Sequence, residues 1–436
     1  MSQPSPPASG DVDAETRCPL CPLPRFFKGN RGLKIHLGRA HKSAASDLAT
    51  TSHHPSNQPF WQTLGNLKKS LPVVKRIPRS ARHQVALSLT QCIERVVSEN
   101  SFDRWSELLS FSYKILNVTQ DISNNSSLTQ KIKENCRSFR TIQDLTIPSS
   151  RPRNSNHSIK LIESKISDAD KHPAPAATLL LPNPPIPDSA HLLTKEDEVM
   201  ASIFSFKSGS ASGLDGLSPQ HLKDLLSVSV GDTGRVLLHN LTLLINLMLS
   251  GKVNSQICDI LYGANLIALK KKDGGIRPIA VGSTFRRIAS KICCKHIAAS
   301  VAADFQPVQL GFGIKGGCEA AVHAVRTFLS LNAGEVVLKV DVKNAFNSVD
   351  RGTLLTQALD KSPLIYNYLW QCYSEPSKLL YQNNLIYSSV GCQQGDPLGP
   401  AIFSLAIHPI ISSLNSKLNV WYLDDGTIAG DASTVL

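Results

Sequence analysis

Apolar residues recur along this chain with two different periods, and the period identifies each element. From Ser80 to Val97 the positions Val85, Leu89, Cys92, Ile93 and Val96 repeat at helical spacing, and a second stripe with Trp105, Leu108 and Leu109 runs from Phe102 to Leu116. Both predict amphipathic helices whose stripes pack as core; an RNA-binding role for this helical pair is the alternative. A further helix is expected to open at Thr194, with Glu196 to Glu198 in its first turn and Val199, Ile203 and Phe206 as its stripe. Ser218-Pro219 marks another helix start. The most apolar run, Val236 to Leu249, is too short to span a bilayer and carries His239, Asn240 and Asn246, so it reads as a buried helix.

Other runs follow the strand pattern. Asn265 to Ile279 predicts a hairpin with Asp273-Gly274-Gly275 at its tip. Glu335 to Asp341 predicts a buried strand that ends in an acid, followed by a loop leading into a helix. Val420 to Ile428 sets Asp424 and Asp425 at a tight turn between two apolar runs, with Asp425-Gly426 as a hairpin-turn signal. Two acids embedded in an apolar hairpin are costly to bury unless a cation or hydrogen bonds compensate them.

Stretches without a period divide the chain. Residues 1–16 are small and polar and read as disordered. Residues 43–78 read as a linker that turns basic, 79–146 as the helical module, and 147–190 as a proline-rich linker that cannot hold a continuous helix or central strand. Residues 191–436 form the last and largest domain.

Charge and cysteine content narrow the chemistry. Lysine and arginine exceed aspartate and glutamate by 46 to 34, a formal charge of +12 that favours a polyanionic partner, nucleic acid ahead of a membrane surface. Of ten cysteines only Cys18 and Cys21 have ligand-like spacing, which suits a reducing compartment. The N-terminus is polar, so a signal peptide is not expected.

Residues 17–42 contain Cys18-x2-Cys21-x14-His36-x4-His41. The cysteine pair suits a hairpin and the histidine pair one face of a helix, closing a tetrahedral Zn2+ site in a small ββα finger. The gap between the pairs exceeds the common twelve residues, an excess that Pro22 and Pro24 absorb. Further along, two-metal phosphoryl transfer needs carboxylates from separate elements, and Asp341 with Asp424 and Asp425 supplies them for Mg2+.

Asp341 to Phe346, Gln393-Gln-Gly-Asp-Pro-Leu-Gly-Pro-Ala-Ile-Phe403 and Tyr422-Leu-Asp-Asp425 occur in an order and spacing that resemble the three catalytic motifs of non-LTR retrotransposon reverse transcriptases. A zinc finger ahead of them is similar to the R2-like branch. The resemblance implies an α+β fold of polymerase palm and fingers, with an antiparallel sheet carrying the acids. It implies RNA-directed DNA polymerase activity with an RNA template, a DNA primer or target and dNTP as partners, two Mg2+, and nuclear residence. Asp341, Asp424 and Asp425 become the catalytic acids, with the Val342 carbonyl as a further metal ligand.

The same resemblance implies that Lys271 and Arg277 lie over the triphosphate, with Lys270 or Lys272 as substitutes for Lys271. Phe346 becomes the ring that clashes with a ribose 2'-hydroxyl, and Gln394 and Gly395 line the nucleotide. Arg286, Arg287, Lys291 and Lys295 read equally as a template track or as a solvated face. The glycines of Gln309-Leu-Gly-Phe-Gly-Ile-Lys-Gly-Gly-Cys318 are expected to let the backbone approach the template. The chain stops eleven residues after Asp425, so the rest of the palm, the thumb and a downstream endonuclease are expected to be missing, as in a truncated copy. Two rival readings follow: a non-catalytic nucleic-acid-binding remnant, and an RNA-templated RNA polymerase, against which Phe346 argues.

Overall fold

The computed structural model describes residues 15–17, 26–28, 59–118, 127–139, 172–173, 180–270, 276–382 and 384–435. The chain divides into two compact units, Met1–Pro59 and Phe60–Leu436. In the first, strands β1 (Glu15–Arg17) and β2 (Phe26–Lys28) pair antiparallel, with Thr16 opposite Phe27. Strand β1 begins inside the stretch expected to be disordered. Cys18 and Cys21 fall between the two strands in sequence, and with His36 and His41 they lie outside the described residues.

The second unit opens with a helix the sequence reading missed, α1 (Phe60–Ser70), which buries Leu64 and Leu67 inside the expected linker. The two predicted stripes then form α2 (Arg82–Glu99) and α3 (Phe102–Ile115), and Val85, Leu89, Cys92, Ile93, Val96, Trp105, Leu108 and Leu109 are all buried. After α4 (Leu128–Ser138) come α5 (Glu196–Phe204), α6 (Pro219–Leu225), α7 (Asp232–Leu249) and α8 (Ser255–Leu261). Ser218 caps α6 and Pro219 occupies its first turn, as predicted.

The early helices do not form a domain of their own. One hydrophobic core runs from Leu64 through Leu244 to Ala406. Asp224 of α6 ties the parts together, accepting from the Ile77 amide at 2.9 Å and from Arg82 at 2.9 Å. The Tyr113 hydroxyl donates to the Leu214 carbonyl at 2.6 Å. The end of the expected proline-rich linker is docked as well, the Tyr366 hydroxyl donating to the Asn183 carbonyl at 2.6 Å, and just past it the Leu192 amide donates to the Leu364 carbonyl at 2.8 Å.

Two sheets follow. Strands β3 (Ala264–Lys270) and β4 (Ile276–Gly282) make the predicted hairpin, with Leu269 opposite Arg277; its tip, residues 271–275, lies outside the described residues. Helices α9 (Thr284–Phe305) and α10 (Gly317–Leu331) separate it from β5 (Val336–Asp341). Next come the short α11 (Ala345–Ser348), α12 (Arg351–Lys361), α13 (Tyr366–Tyr373), β6 (Ser377–Tyr381) and β7 (Asn384–Ser388). Helix α14 (Gly399–Ser412), strands β8 (Leu418–Tyr422) and β9 (Asp425–Gly430) and the short α15 (Ala432–Val435) complete the unit.

The first sheet has the order β4-β3-β6-β7 with one parallel pairing, β3 to β6; the second, β5-β9-β8, is antiparallel throughout and carries the acids. Strand β5 is not the buried strand expected. Val336, Leu338 and Val340 are half-buried, while Val337, Lys339 and Asp341 are exposed. The strict alternation puts Val337, Lys339 and Asp341 together on one uncovered face of the sheet. Among the described residues no helix is long and apolar enough to cross a membrane.

Candidate active site

The acids converge because of strand register. Asp341, the last residue of β5, pairs directly with Asp425, the first of β9, and Tyr422 pairs with Asp425 on the other side. Leu423 and Asp424 are therefore the two residues of the β8–β9 turn. This corrects the turn position: Gly426 is not a turn residue but sits within β9 opposite Trp421. A Cβ at Gly426 would lie 2.7 Å from the Trp421 indole, so glycine is required for ring packing. Leu423 takes the positive φ, +57°, that such a turn ordinarily assigns to glycine or asparagine.

Asp341, Asp424 and Asp425 border one cavity of about 470 Å³, together with Arg277, Val342, Phe346 and Gln394. Seven of the predicted site residues are thus brought together. Burial pushes the Asp424 carboxyl above the ordinary carboxylate range; the charges of Asp425 and Asp341 add to the rise, against a backbone hydrogen bond and Arg277. Among the described residues no three His, Cys, Asp or Glu side chains are gathered into a group that could hold a metal ion as they stand. The donor chemistry still fits a hard dication, since the cavity concentrates carboxylate oxygens whose mutual repulsion a cation would relieve.

Phe346 meets the cavity from α11, stacked on Phe403 of α14 with ring centroids 4.4 Å apart and planes at 16°. Asn344, in the left-handed conformation at φ +55°, turns the chain from β5 into α11. Gln394 is held by its backbone, whose carbonyl accepts from the Ala280 amide of β4 at 2.8 Å. Gly395 is not among the cavity-lining residues; its φ of +122° and a notional Cβ 2.6 Å from the Ala280 carbonyl oxygen make it the close-approach residue that lets this loop lie on β4. Lys271 lies outside the described residues.

Several functional supports escaped the sequence reading. Arg286 and Arg287 are not a template track, being only 1% and 8% exposed. Arg286 donates from Nε to Asp396 at 2.6 Å and also to the Tyr262 carbonyl and the Tyr373 hydroxyl, so α9 clamps the loop that carries Gln394. Arg287 donates to the Ala211 carbonyl at 2.7 Å. Arg351, also buried, donates to the Gly391 carbonyl at 3.0 Å and holds the start of the same segment. The glycines after Gln309 are used internally: a Cβ at Gly311 would lie 2.4 Å from the Leu423 nitrogen, and one at Gly317 2.0 Å from the Leu310 carbonyl oxygen.

A sheet that presents paired acids beside a two-stranded hairpin bearing an arginine fits the arrangement expected of a polymerase palm and fingers. Residues 269–436 match the model of the family described as reverse transcriptase (RNA-dependent DNA polymerase). The chain is 24% identical over 266 residues to the retrotransposable element SLACS 132 kDa protein of Trypanosoma brucei gambiense, covering 58% of this chain and 22% of that protein. It is 26% identical over 182 residues to the retrovirus-related Pol polyprotein from type-1 retrotransposable element R2 of Popillia japonica, covering 38% and 25%. The corresponding R2 polyprotein of Bradysia coprophila is 25% identical over 257 residues, covering 56% and 28%. The matches thus span about a quarter of the length of these curated relatives.

Proposed function

We propose that this chain adds deoxynucleotides to a primer 3'-hydroxyl on an RNA template, as the polymerase of a non-LTR retrotransposon. The observation that carries this reading is the convergence of Asp341, Asp424 and Asp425 on a cavity whose other walls hold Arg277, Phe346 and Gln394. Asp341, Asp424 and Asp425, with the Val342 carbonyl, would hold two Mg2+, which supply charge neutralisation at the attacking hydroxyl and at the departing pyrophosphate. Arg277 places positive charge where the triphosphate enters, a role that Lys271 shares. Phe346, braced by Phe403, presents its ring to the sugar. Gln394 forms the floor against which the nucleotide lies, on a loop that Gly395 lets pack against β4.

The N-terminal part of the proposal is a structural zinc finger held by Cys18, Cys21, His36 and His41, supported by their spacing. One zinc per chain by elemental analysis is expected, and retention of that zinc in Cys18→Ser would contradict it. Nuclear residence, where a DNA target is available, belongs to the same proposal.

The test is extension of a DNA primer on an RNA template with Mg2+, comparing dNTP with rNTP in the chain and in Phe346→Val. Incorporation of dNTP alone by the chain is expected, with ribonucleotide use rising on the order of tenfold or more in the variant as the pocket wall recedes. Equal use of both sugars by the unaltered chain would overturn the DNA-polymerase assignment. Absence of any incorporation, with nucleic acid still bound, would instead support the non-catalytic binding remnant.

A further inference from the structure

Between α9 and α10 the chain passes alongside β8. The Leu310 amide donates to the Trp421 carbonyl at 2.8 Å, and the Trp421 amide donates to the Val308 carbonyl at 2.7 Å, so this segment continues the acid-bearing sheet by one parallel bridge. Gln309 at its centre is fully buried, at 0% exposure. Its Oε1 accepts from the Leu423 amide at 2.8 Å and from the Gly311 amide at 2.9 Å, and its Nε2 donates to the Leu423 carbonyl at 3.1 Å. One side-chain amide therefore satisfies both backbone groups of Leu423, as a neighbouring strand would.

Leu423 needs such a partner. A leucine with φ near +57° is uncommon and strained, and it persists only where its surroundings over-determine it. The next residue is Asp424, so the geometry of Leu423 sets where that carboxylate points. Gly311 completes the fit, because only a residue without a Cβ brings the loop within reach of the Leu423 nitrogen. Gln309 itself does not border the cavity. An apolar side chain of the same length would fill its space equally well; what only the amide provides is the hydrogen bonding to Leu423 and Gly311.

We propose that Gln309 is a positioning residue for the polymerase reaction: its amide locks Leu423 in the left-handed turn conformation and so aims Asp424 at the cavity it shares with Asp341 and Asp425. The inference rests on the reading of those acids as metal ligands. It gives the Gln309 segment a role in building the active site, where the sequence alone pointed to template contact.

The experiment uses the full chain, with Mn2+ as the probe and no turnover required. Mn2+ affinity is measured by electron paramagnetic resonance, and protection of the Leu423 amide by hydrogen exchange. The variants are Gln309→Met, Gln309→Met/Leu423→Gly and Gln309→Asn, each at a temperature where circular dichroism matches the unaltered chain. Gln309→Met is expected to weaken Mn2+ binding about tenfold or more, the usual effect of losing a group that orients a metal ligand, and to speed exchange at Leu423. Glycine at 423 adopts positive φ without strain, so the double variant is expected to recover part of the affinity, which a general loss of packing would not allow.

Unchanged Mn2+ affinity in folded Gln309→Met overturns the positioning role and leaves the metal reading intact. Absence of Mn2+ binding by the unaltered chain overturns the metal reading, and the role of Gln309 with it. Should Gln309→Met fail to fold, Gln309→Asn, which keeps the amide but withdraws it by one methylene, is the deciding variant. Weakened binding in it supports the proposal, and unaltered binding overturns it.

Discussion

At the residue scale, side chains both beside the acids and away from them are chosen by contacts that only the folded chain displays. Gly426 has a Trp421 ring in place of a Cβ, so Gly426→Ala forces ring or strand to move and is expected to cost about 1–3 kcal/mol, measured by urea unfolding. Asp215 is buried between Lys68 and Arg287, and burial pushes its carboxyl up to about 7 despite the pull of Arg287, the Leu217 amide and Lys68. A carboxyl whose folded pKa lies above its unfolded value favours the fold most at low pH. Its contribution is present below about pH 4, is lost as pH rises through about 7, and changes no further above that. The unfolding free energy of Asp215→Asn should therefore fall less between pH 5 and pH 7 than that of the unaltered chain, the two profiles diverging by roughly 1.4 kcal/mol for each step of one in pH. Parallel pH profiles for the variant and the unaltered chain would contradict this.

At the element scale, the buried clamp between α9 and the Gln394 loop has the most to lose. The Arg286 and Asp396 side chains are 1% and 2% exposed, and removing one charge strands the other in the core. Asp396→Asn is expected to destabilise by about 3–5 kcal/mol in urea unfolding, and the pair Arg286→Met/Asp396→Leu to recover much of it. A double variant no better than the single would show that hydrogen bonds to Tyr262 and Tyr373 outweigh the charge. This clamp also marks where sequence reading stopped. Val85, Leu89 and Trp105 declared their helices because burial of an apolar stripe is a local, periodic signal. Arg286 and Arg287 sit on a helix at spacings that a solvated face also shows, and the partner that buries Arg286 lies 110 residues away. The acids and their strands were legible, whereas the turn was misplaced by the Asp425-Gly426 signal, because the reason for Gly426 is a cross-strand indole.

At the scale of the whole molecule, residues Phe60–Leu436 form one compact unit. The helices expected as a separate module share its core, and Asp224 joins them to α6. What a one-dimensional pattern conveys is the strongly periodic elements and the acids proposed for catalysis; which elements share a core depends on contacts such as Asp224 with Ile77, 147 residues apart. The central claim is that Asp341, Asp424 and Asp425 act as one group. It is tested most directly by single-nucleotide extension of a DNA primer on an RNA template with Mg2+, comparing the unaltered chain with Asp341→Asn, Asp424→Asn and Asp425→Asn. Incorporation by the unaltered chain is expected, with losses on the order of a hundredfold or more in the Asp341 and Asp424 variants and chain stability preserved. Incorporation that persists at the unaltered rate without Asp424 would contradict it.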